Sequence, residues 1–391
     1  MSWPRFRTET LPWVPRGEMS RRARAKAPTT YESVLVPAIA REVLELSADL
    51  QAEVERATIA VARFDATVAH RLIPFTPLLL RTESVASSKI ENLTSSARRV
   101  LEAELTGSRR GNAGLIASNV HQMEAAKDHD VEQLADLLEL HRILLADSAP
   151  TIAGVLRNEP VWIGGADQYP LDAYFVAPHQ CHLSEALEDF LEFFARDDLP
   201  ALAHAAVAHA HFESIHPFAD GNGRTGRALI HVLLRQRGLT RQTSLPISAS
   251  LLADVDRYFA ALDAYRDGDV TSIISLFAHA AYEAMRRGEW FVAELDGVRE
   301  EWEGLVTARK DATDWRALDV LLCQPVITVA ALTEDLGITP AAARATLVRL
   351  EENGILIGAQ MSNKVRAWRA QDVLDLLDEF GDGMRRSIAS T

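Results

Sequence analysis

A chain of 391 residues that is 48% hydrophobic and 25% charged is long enough for two or three domains with cores of their own. Lys plus Arg total 41 against 55 for Asp plus Glu, a formal net charge of -14, which argues against bulk affinity for nucleic acid or membranes but leaves room for a local basic site. The two cysteines, Cys181 and Cys323, lie far apart without metal-ligand spacing, and no run of about 18 apolar residues could cross a bilayer, so the sequence reads as a reducing, cytoplasmic protein.

In chain order, residues 1–30 carry a basic run (Arg21, Arg22, Arg24, Lys26) with no apolar stretch behind it, which predicts a flexible arm rather than an export signal. Helical periodicity begins after Tyr31. In VLELSADLQAEVERATIAVARFD the apolar residues Val43, Leu46, Leu50, Val54, Ala57, Val61 and Phe64 recur at steps of three and four. A second such helix is predicted through SVASSKIENLTSSARRVLEAEL, and others over 114–127, 131–147, 183–195, 199–214, 224–237, 251–265 and 271–309. One stretch breaks the rhythm: β-favouring Val161–Ile163 and Ala173–Val176 flank Gly164-Gly165 and Pro170, as in a hairpin with a long tip. At the C-terminus, a helix to Leu336, a glycine turn, a second helix opened by Thr339-Pro340 and closed at Asn353-Gly354, and two short strands predict a winged helix-turn-helix. The expected fold class is mainly α. Its expected parts are the arm (1–30), an N-terminal helical region (31–110), a helical core (111–293), a helical linker (294–312) and the winged unit (313–391).

Residues 216–227 read HPFADGNGRTGR, a mixture for which a packed core has no use. The run follows a helix whose apolar face is Leu202, Ala206, Val207 and Ala210, stops it at Pro217, and opens another with Ala228, Leu229, Val232 and Leu233 inward. Backbone amides of a glycine-containing turn at a helix N-terminus form an anion cradle, which makes Gly221, Asn222 and Gly223 candidates to hold phosphate. Arg224 and Arg227, three apart, share a face and can fork onto phosphate oxygens. Asp220 offers a hard oxygen for Mg²⁺, and His216 can take a proton near neutral pH. The competing structural reading is a tight helix-to-helix turn with exposed arginines.

These twelve residues match at every position the signature of Fic domains in the Fic/Doc family of nucleotidyl transferases, and the helical envelope from about 30 to 300 is similar to that family. The resemblance implies a Fic-type helical bundle with a β-hairpin flap. It implies that His216 deprotonates a target hydroxyl, Phe218 pins the loop into the core and Asp220 holds Mg²⁺. Gly221, Asn222 and Gly223 match the anion hole, Gly226 completes the nucleotide-binding signature, and Arg224 and Arg227 match contacts to the nucleotide phosphates, Arg227 to the terminal one. The reaction so implied moves AMP from ATP to a Tyr, Thr or Ser of a protein and releases pyrophosphate. The flap, assigned to Asn158–Pro178, would pair with an extended segment of that target, against the alternative of a structural hairpin. A homodimer and self-modification are further implications of the likeness.

SSKIEN at 87–92 places Ser87 and Glu91 four apart on an expected helix, which by spacing alone is a solvated polar face. Here too the residues resemble the family: Ser87, Glu91 and Asn92 match the inhibitory motif [ST]xxxE[GN], whose glutamate pairs with the second arginine of the signature, in this chain Arg227. An alternative role implied for Glu91 is to position water for removing AMP from a modified target. Of His204, His209, His211 and His216, only His209 and His211 are close, and residues two apart on a helix face different ways, which argues for packing over a zinc site. DRYFAALDAYRDGD (256–269) resembles the adenine-side segment of Fic proteins, with Tyr258 and Phe259 as walls and Arg266 departing from some relatives. In the winged unit, Arg344, Arg349, Lys364, Arg366 and Arg369 could meet DNA phosphates, making a nucleotide-sensing DNA-binding regulator the rival function. Glu351, Glu352 and the acidic tail leave the unit no more basic than acidic, so DNA and a protein partner stand as equal alternatives.

Overall fold

The computed structural model describes residues 3–14, 20–21, 26–67, 76–165, 169–241, 244–362 and 365–388. Its first elements are strands β1 (Arg7–Pro12) and β2 (Thr30–Leu35) and helices α1 (Ala48–Thr67), α2 (Thr76–Ile90), α3 (Ala97–Thr106), α4 (Gly111–Ala125) and α5 (Leu134–Leu145). A hairpin of β3 (Trp162–Ile163) and β4 (Phe175–Val176) precedes α6 (Leu183–Phe194), α7 (Ala201–Ile215), α8 (Asn222–Gln236), α9 (Ile247–Ala253), α10 (Val255–Arg266) and α11 (Val270–Leu305). The C-terminal run is α12 (Thr313–Cys323), β5 (Val326–Thr328), α13 (Val329–Leu336), α14 (Pro340–Glu352), β6 (Ile357–Ser362), β7 (Val365–Arg369) and α15 (Gln371–Ile388). The architecture is mainly α, as expected, and no described helix is long and apolar enough to cross a membrane.

By packing, the chain divides into two compact units. The first comprises residues 1–58, 125–237 and 256–278. Its centre is α7, an alanine-rich helix buried from Leu202 to Ile215. Small side chains let α8 come close along one side: a Cβ built on Gly226 would lie 2.6 Å from Glu213 Oε1 and 2.9 Å from Phe212 Cδ1. The amphipathic α6 lays Leu183, Leu187, Phe190, Phe193 and Phe194 on its buried face, each such side chain contributing about 1.5–3 kcal/mol on burial.

The flexible arm is corrected by the structure. β1 pairs antiparallel with β2 from Arg7 opposite Leu35 to Pro12 opposite Thr30. Trp3 is 7% exposed and packs near Tyr265, with ring centroids 6.3 Å apart, and the Phe6 N–H donates to Arg266 O at 3.0 Å. Arg22 and Arg24 of the basic run lie outside the described residues. The helix expected from Val43 starts five residues later, because Ser47 Oγ accepts the Leu50 N–H at 3.3 Å and caps it there; Val43 is 73% exposed. The helix expected over 251–265 breaks at Asp254, which leaves the helical region at φ -135° and ψ 70°.

The second unit comprises residues 59–124, 238–255 and 279–391. In it the Glu83 carboxylate is fully buried and accepts from both the N–H and the hydroxyl of Ser248, tying α2 to α9. The single helix expected through 84–105 is two: Asn92 takes φ 60°, and the Leu93 N–H turns back to Ser88 O at 3.0 Å, which closes α2 before α3 begins. The C-terminal run belongs to this unit. The α15 residues Val373, Leu374, Leu377 and Phe380 are buried, Asp378 Oδ1 accepts the Ala97 N–H at the start of α3, and Phe380 meets Phe291 edge-on at 5.2 Å. β5, β7 and β6 form an antiparallel sheet in that order, while Gly337 (φ 62°) turns α13 towards α14, whose first turn is capped by Thr339 Oγ on the Ala342 N–H.

Candidate active site

At the end of α7, His216 takes the left-handed conformation (φ 49°, ψ 59°) while its N–H still closes onto Phe212 O at 2.9 Å. A non-glycine residue there costs on the order of 1–3 kcal/mol and persists only where its surroundings hold it. The structure shows the holds. Phe218 is fully buried, and the Asn222 side chain bonds both its N–H and its carbonyl at 2.8 Å, so that amide closes the loop on itself. What Asn222 can offer an anion is therefore its backbone N–H. Arg157, which no local sequence feature marks, donates from Nε to His216 O at 2.7 Å.

His141 is the other residue that the sequence does not reveal. Its ring stacks on Phe218 with centroids 3.6 Å apart and planes 4° from parallel. The Gly154 N–H donates to His141 Nδ1 at 3.0 Å, which leaves the proton on Nε2, and Nε2 donates to Asp220 O at 2.9 Å. Burial pushes the His141 pKa down to about 4, so the ring stays neutral and keeps this directional pairing at physiological pH.

Gly221 caps α8 at φ 81°, a conformation open to glycine, and a Cβ there would come within 2.9 Å of Leu144 Cδ2. Asp220 is held by one oxygen: Oδ1 accepts the Gly221 N–H at 2.6 Å and meets Arg224 Nη2 at 3.3 Å, while the side chain is 62% exposed. Arg224 and Arg227 are 3% and 1% exposed, which removes the reading of a surface turn with solvated arginines. Two guanidinium groups at the positive end of a helix make a strongly cationic corner, and the first amides of α8 lie in the same place. The chemistry this arrangement can perform is to hold an extended anion beside an imidazole: His216 Nδ1 lies 3.3 Å from Glu213 O on the same turn. Gly226 packs tightly between α7 and α8, where a Cβ would press on Glu213 and Phe212.

Beside the loop, β3 pairs with β4 in the register Trp162 to Val176 and Ile163 to Phe175, with Gly164 and Gly165 both at positive φ. Residues 166–168 lie outside the described residues. The hairpin is braced on two sides. Ser33 Oγ of β2 donates to Ala177 O at 3.1 Å, and Trp13 packs edge-on against Trp162 at 5.7 Å. On the other side the Tyr174 hydroxyl bonds Asp263, and the Arg266 guanidinium lies 3.9 Å over the Phe175 ring while also meeting Asp263 Oδ1 and Ser214 Oγ. Arg266 thus connects α10, the hairpin and α7. Of the two aromatic residues expected to wall a nucleotide, Phe259 is 40% exposed, whereas Tyr258 is 1% exposed with its hydroxyl on His209 Nε2 at 2.9 Å, which places Tyr258 in the core. His204 and His211 are likewise occupied in packing, by Phe193 O and the Tyr265 hydroxyl.

Ser87 is fully buried in α2, and Glu91 and Asn92 form the exposed turn that ends that helix. Asn92 at φ 60° supplies a physical reason for a motif that admits Gly or Asn after its glutamate, since these are the residues that enter the left-handed region at least cost. These residues belong to the second unit and His216 to Arg227 to the first.

The model of the Fic/DOC family matches residues 131–234, which include the hairpin and the whole loop from His216 to Arg227. The crystal structure of a Fic family protein from Desulfovibrio desulfuricans G20 superposes with a TM-score of 0.55 over 84% of this chain and 97% of that one at 21% identity, a likeness of fold. The protein adenylyltransferase fic-1 of Caenorhabditis elegans is 27% identical over 165 residues, 41% of this chain and 30% of that protein. The protein adenylyltransferase Fic of Drosophila virilis is 29% identical over 182 residues, 45% of this chain and 35% of its own length. The matched segment therefore spans about a third of these relatives.

Proposed function

We propose that the chain, whose residues 131–234 match the model of the Fic/DOC family, is a protein adenylyltransferase, moving AMP from ATP to a hydroxyl side chain of a protein. The observation that carries the proposal is the loop from His216 to Arg227, in which a strained, firmly held histidine stands beside a helix N-terminus and two buried arginines. His216 takes the proton from the target Tyr, Thr or Ser. The freed oxygen forms a bond to the α-phosphorus as the bond to pyrophosphate breaks. The amides of Asn222 and Gly223 and the guanidinium groups of Arg224 and Arg227 hold the phosphates and the charge that develops on them. The donor set fits Mg²⁺, which accepts one carboxylate plus phosphates and water: the hydrogen bonds of Asp220 use Oδ1 and its side chain is open to solvent. When bound there, the ion would neutralise phosphate charge. The hairpin within 158–178 would dock the target segment, and Phe259 would meet the nucleoside.

Incubation with ATP labelled at the α or the γ phosphorus tests this reading. Covalent α-label on a protein acceptor, this chain included, is the expected result; γ-label would make the chain a phosphotransferase and sink the proposal. In the same reading, Glu91 restrains the enzyme by pairing with Arg227, with removal of AMP as the alternative role. A homodimer is part of the proposal by likeness, and two free cysteines agree with a cytoplasmic setting.

We read α12 to β7 as a winged helix that docks protein rather than DNA. Arg349 is engaged bidentately by the fully buried Asp314 at 2.8 and 2.6 Å, and Arg366 meets Glu351 at 2.8 Å, so two of the arginines available for phosphates already serve the unit's own fold. Lys364 lies outside the described residues. Titration of random duplex DNA by fluorescence anisotropy between about 50 and 200 mM salt should change the affinity of the full chain by less than about tenfold; a drop of ~10³ would restore the DNA-binding reading.

A further inference from the structure

We propose that Arg157 is a positioning residue that sets the hairpin and His216 at a fixed distance, so that the edge on which a target segment lies and the base that receives its proton move as one body. The inference rests on the transfer reading above. Its ground is the set of atoms that one buried side chain joins. Arg157 is 5% exposed, and each acceptor of its guanidinium is a backbone carbonyl: Nε donates to His216 O at 2.7 Å, Nη2 to Pro178 O at 2.6 Å and to Ile215 O at 3.4 Å, and Nη1 to Glu159 O at 3.1 Å. Its own N–H donates to Pro217 O at 3.0 Å.

Glu159 and Pro178 stand at the two roots of the hairpin, and Ile215, His216 and Pro217 are the turn that ends α7. The carbonyls that end a helix have no partner within it, and a cation is the group that best satisfies them. Arg157 does this for α7 while also gripping both hairpin roots. Burial lowers its pKa to about 10, so it remains cationic at neutral pH. Lysine could supply the charge but not the fork, because a rigid planar group with five donors is what reaches carbonyls in several directions at once.

Amide hydrogen exchange on the wild-type full chain tests the proposal without any variant. The hairpin roots near 159 and 178 and the turn at 215–218 should open together, with one denaturant dependence. Separate openings with different dependences would overturn it. Arg157→Lys supplies the second arm: exchange should rise in both segments and not in the rest of the first unit. ATP affinity by calorimetry should stay within about twofold, and AMP transfer measured in the Glu91→Gly background should fall about a hundredfold, the loss expected from a misplacement near 1 Å. A folded Arg157→Lys protein that transfers AMP at the parent rate, or one in which exchange rises throughout the unit, would reduce Arg157 to an ordinary structural residue. If the parent Glu91→Gly protein transfers no AMP, the transfer reading has failed, and the wild-type exchange result still decides whether hairpin and turn are coupled.

Discussion

Replacing Glu91 by glycine is expected to raise transfer of the α-phosphate label by about 10²-fold or more, and adding His216→Ala to that variant is expected to abolish the gain. The magnitude follows from the group that the glutamate is proposed to occupy. A guanidinium withheld from a developing phosphate charge costs roughly 10²–10³ in rate, comparable to the loss of one preorganised donor, and a missing general base costs about 10²–10⁴. The position suits the experiment. Glu91 lies in the exposed turn after α2, and Asn92 behind it already carries the positive φ, so glycine at 91 replaces no buried side chain. Its stability cost should stay near ~1 kcal/mol, and a gain of activity is then separable from any change in folding. Glu91→Gln is the finer probe, since it keeps the shape and removes the charge; it should release part of the restraint. Equal labelling by wild type and Glu91→Gly would leave no brake to explain, and loss of AMP from a labelled target on adding wild type, but not Glu91→Gly, would assign Glu91 to removal instead.

The parts of the molecule that the sequence disclosed are those whose causes lie close together in the chain. The loop from His216 to Arg227 needs its left-handed glycine, its self-closing asparagine and its arginines within twelve residues, and each leaves a mark in the text. The β3–β4 hairpin was legible from Gly164-Gly165 between β-favouring runs. The residues that went unseen act at a distance. His141 serves Asp220 across 79 positions and Arg157 serves His216 across 59, both through backbone carbonyls, which no side-chain pattern can announce. The end of α2 was hidden for another reason: SSKIENLTSSARR has neither Gly nor Pro, and the apolar spacing runs on through it, so the stop depends on Asn92 entering the left-handed region. The β1–β2 pairing leaves little mark because RTETLP and TYESVL are short and the basic run between them has the composition of an unstructured arm.

Phe218→Ala should cost about 3–5 kcal/mol of stability and remove most transfer activity, two losses with one origin. The ring is fully buried, and its stack on His141 adds roughly 0.5–1.5 kcal/mol beyond the area it hides. Truncation leaves a cavity under the loop and frees the imidazole that holds Asp220 O. It also weakens the clamp between Asn222 and the Phe218 backbone, and with it the force that keeps His216 two residues upstream in its unfavourable conformation. Denaturant unfolding should show a lower midpoint with an unchanged slope. Phe218→Leu separates the two effects. Leucine restores much of the volume without the flat face that stacks, so stability should return to within about 1.5 kcal/mol of wild type while transfer recovers only in part. Below the melting transition, ATP affinity should change less than the transfer rate in both variants, because the arginines and the N-terminal amides of α8 remain in place when the histidine is loosened. Wild-type transfer by Phe218→Ala would mean that the conformation of His216 is held from α7 and Arg157 alone.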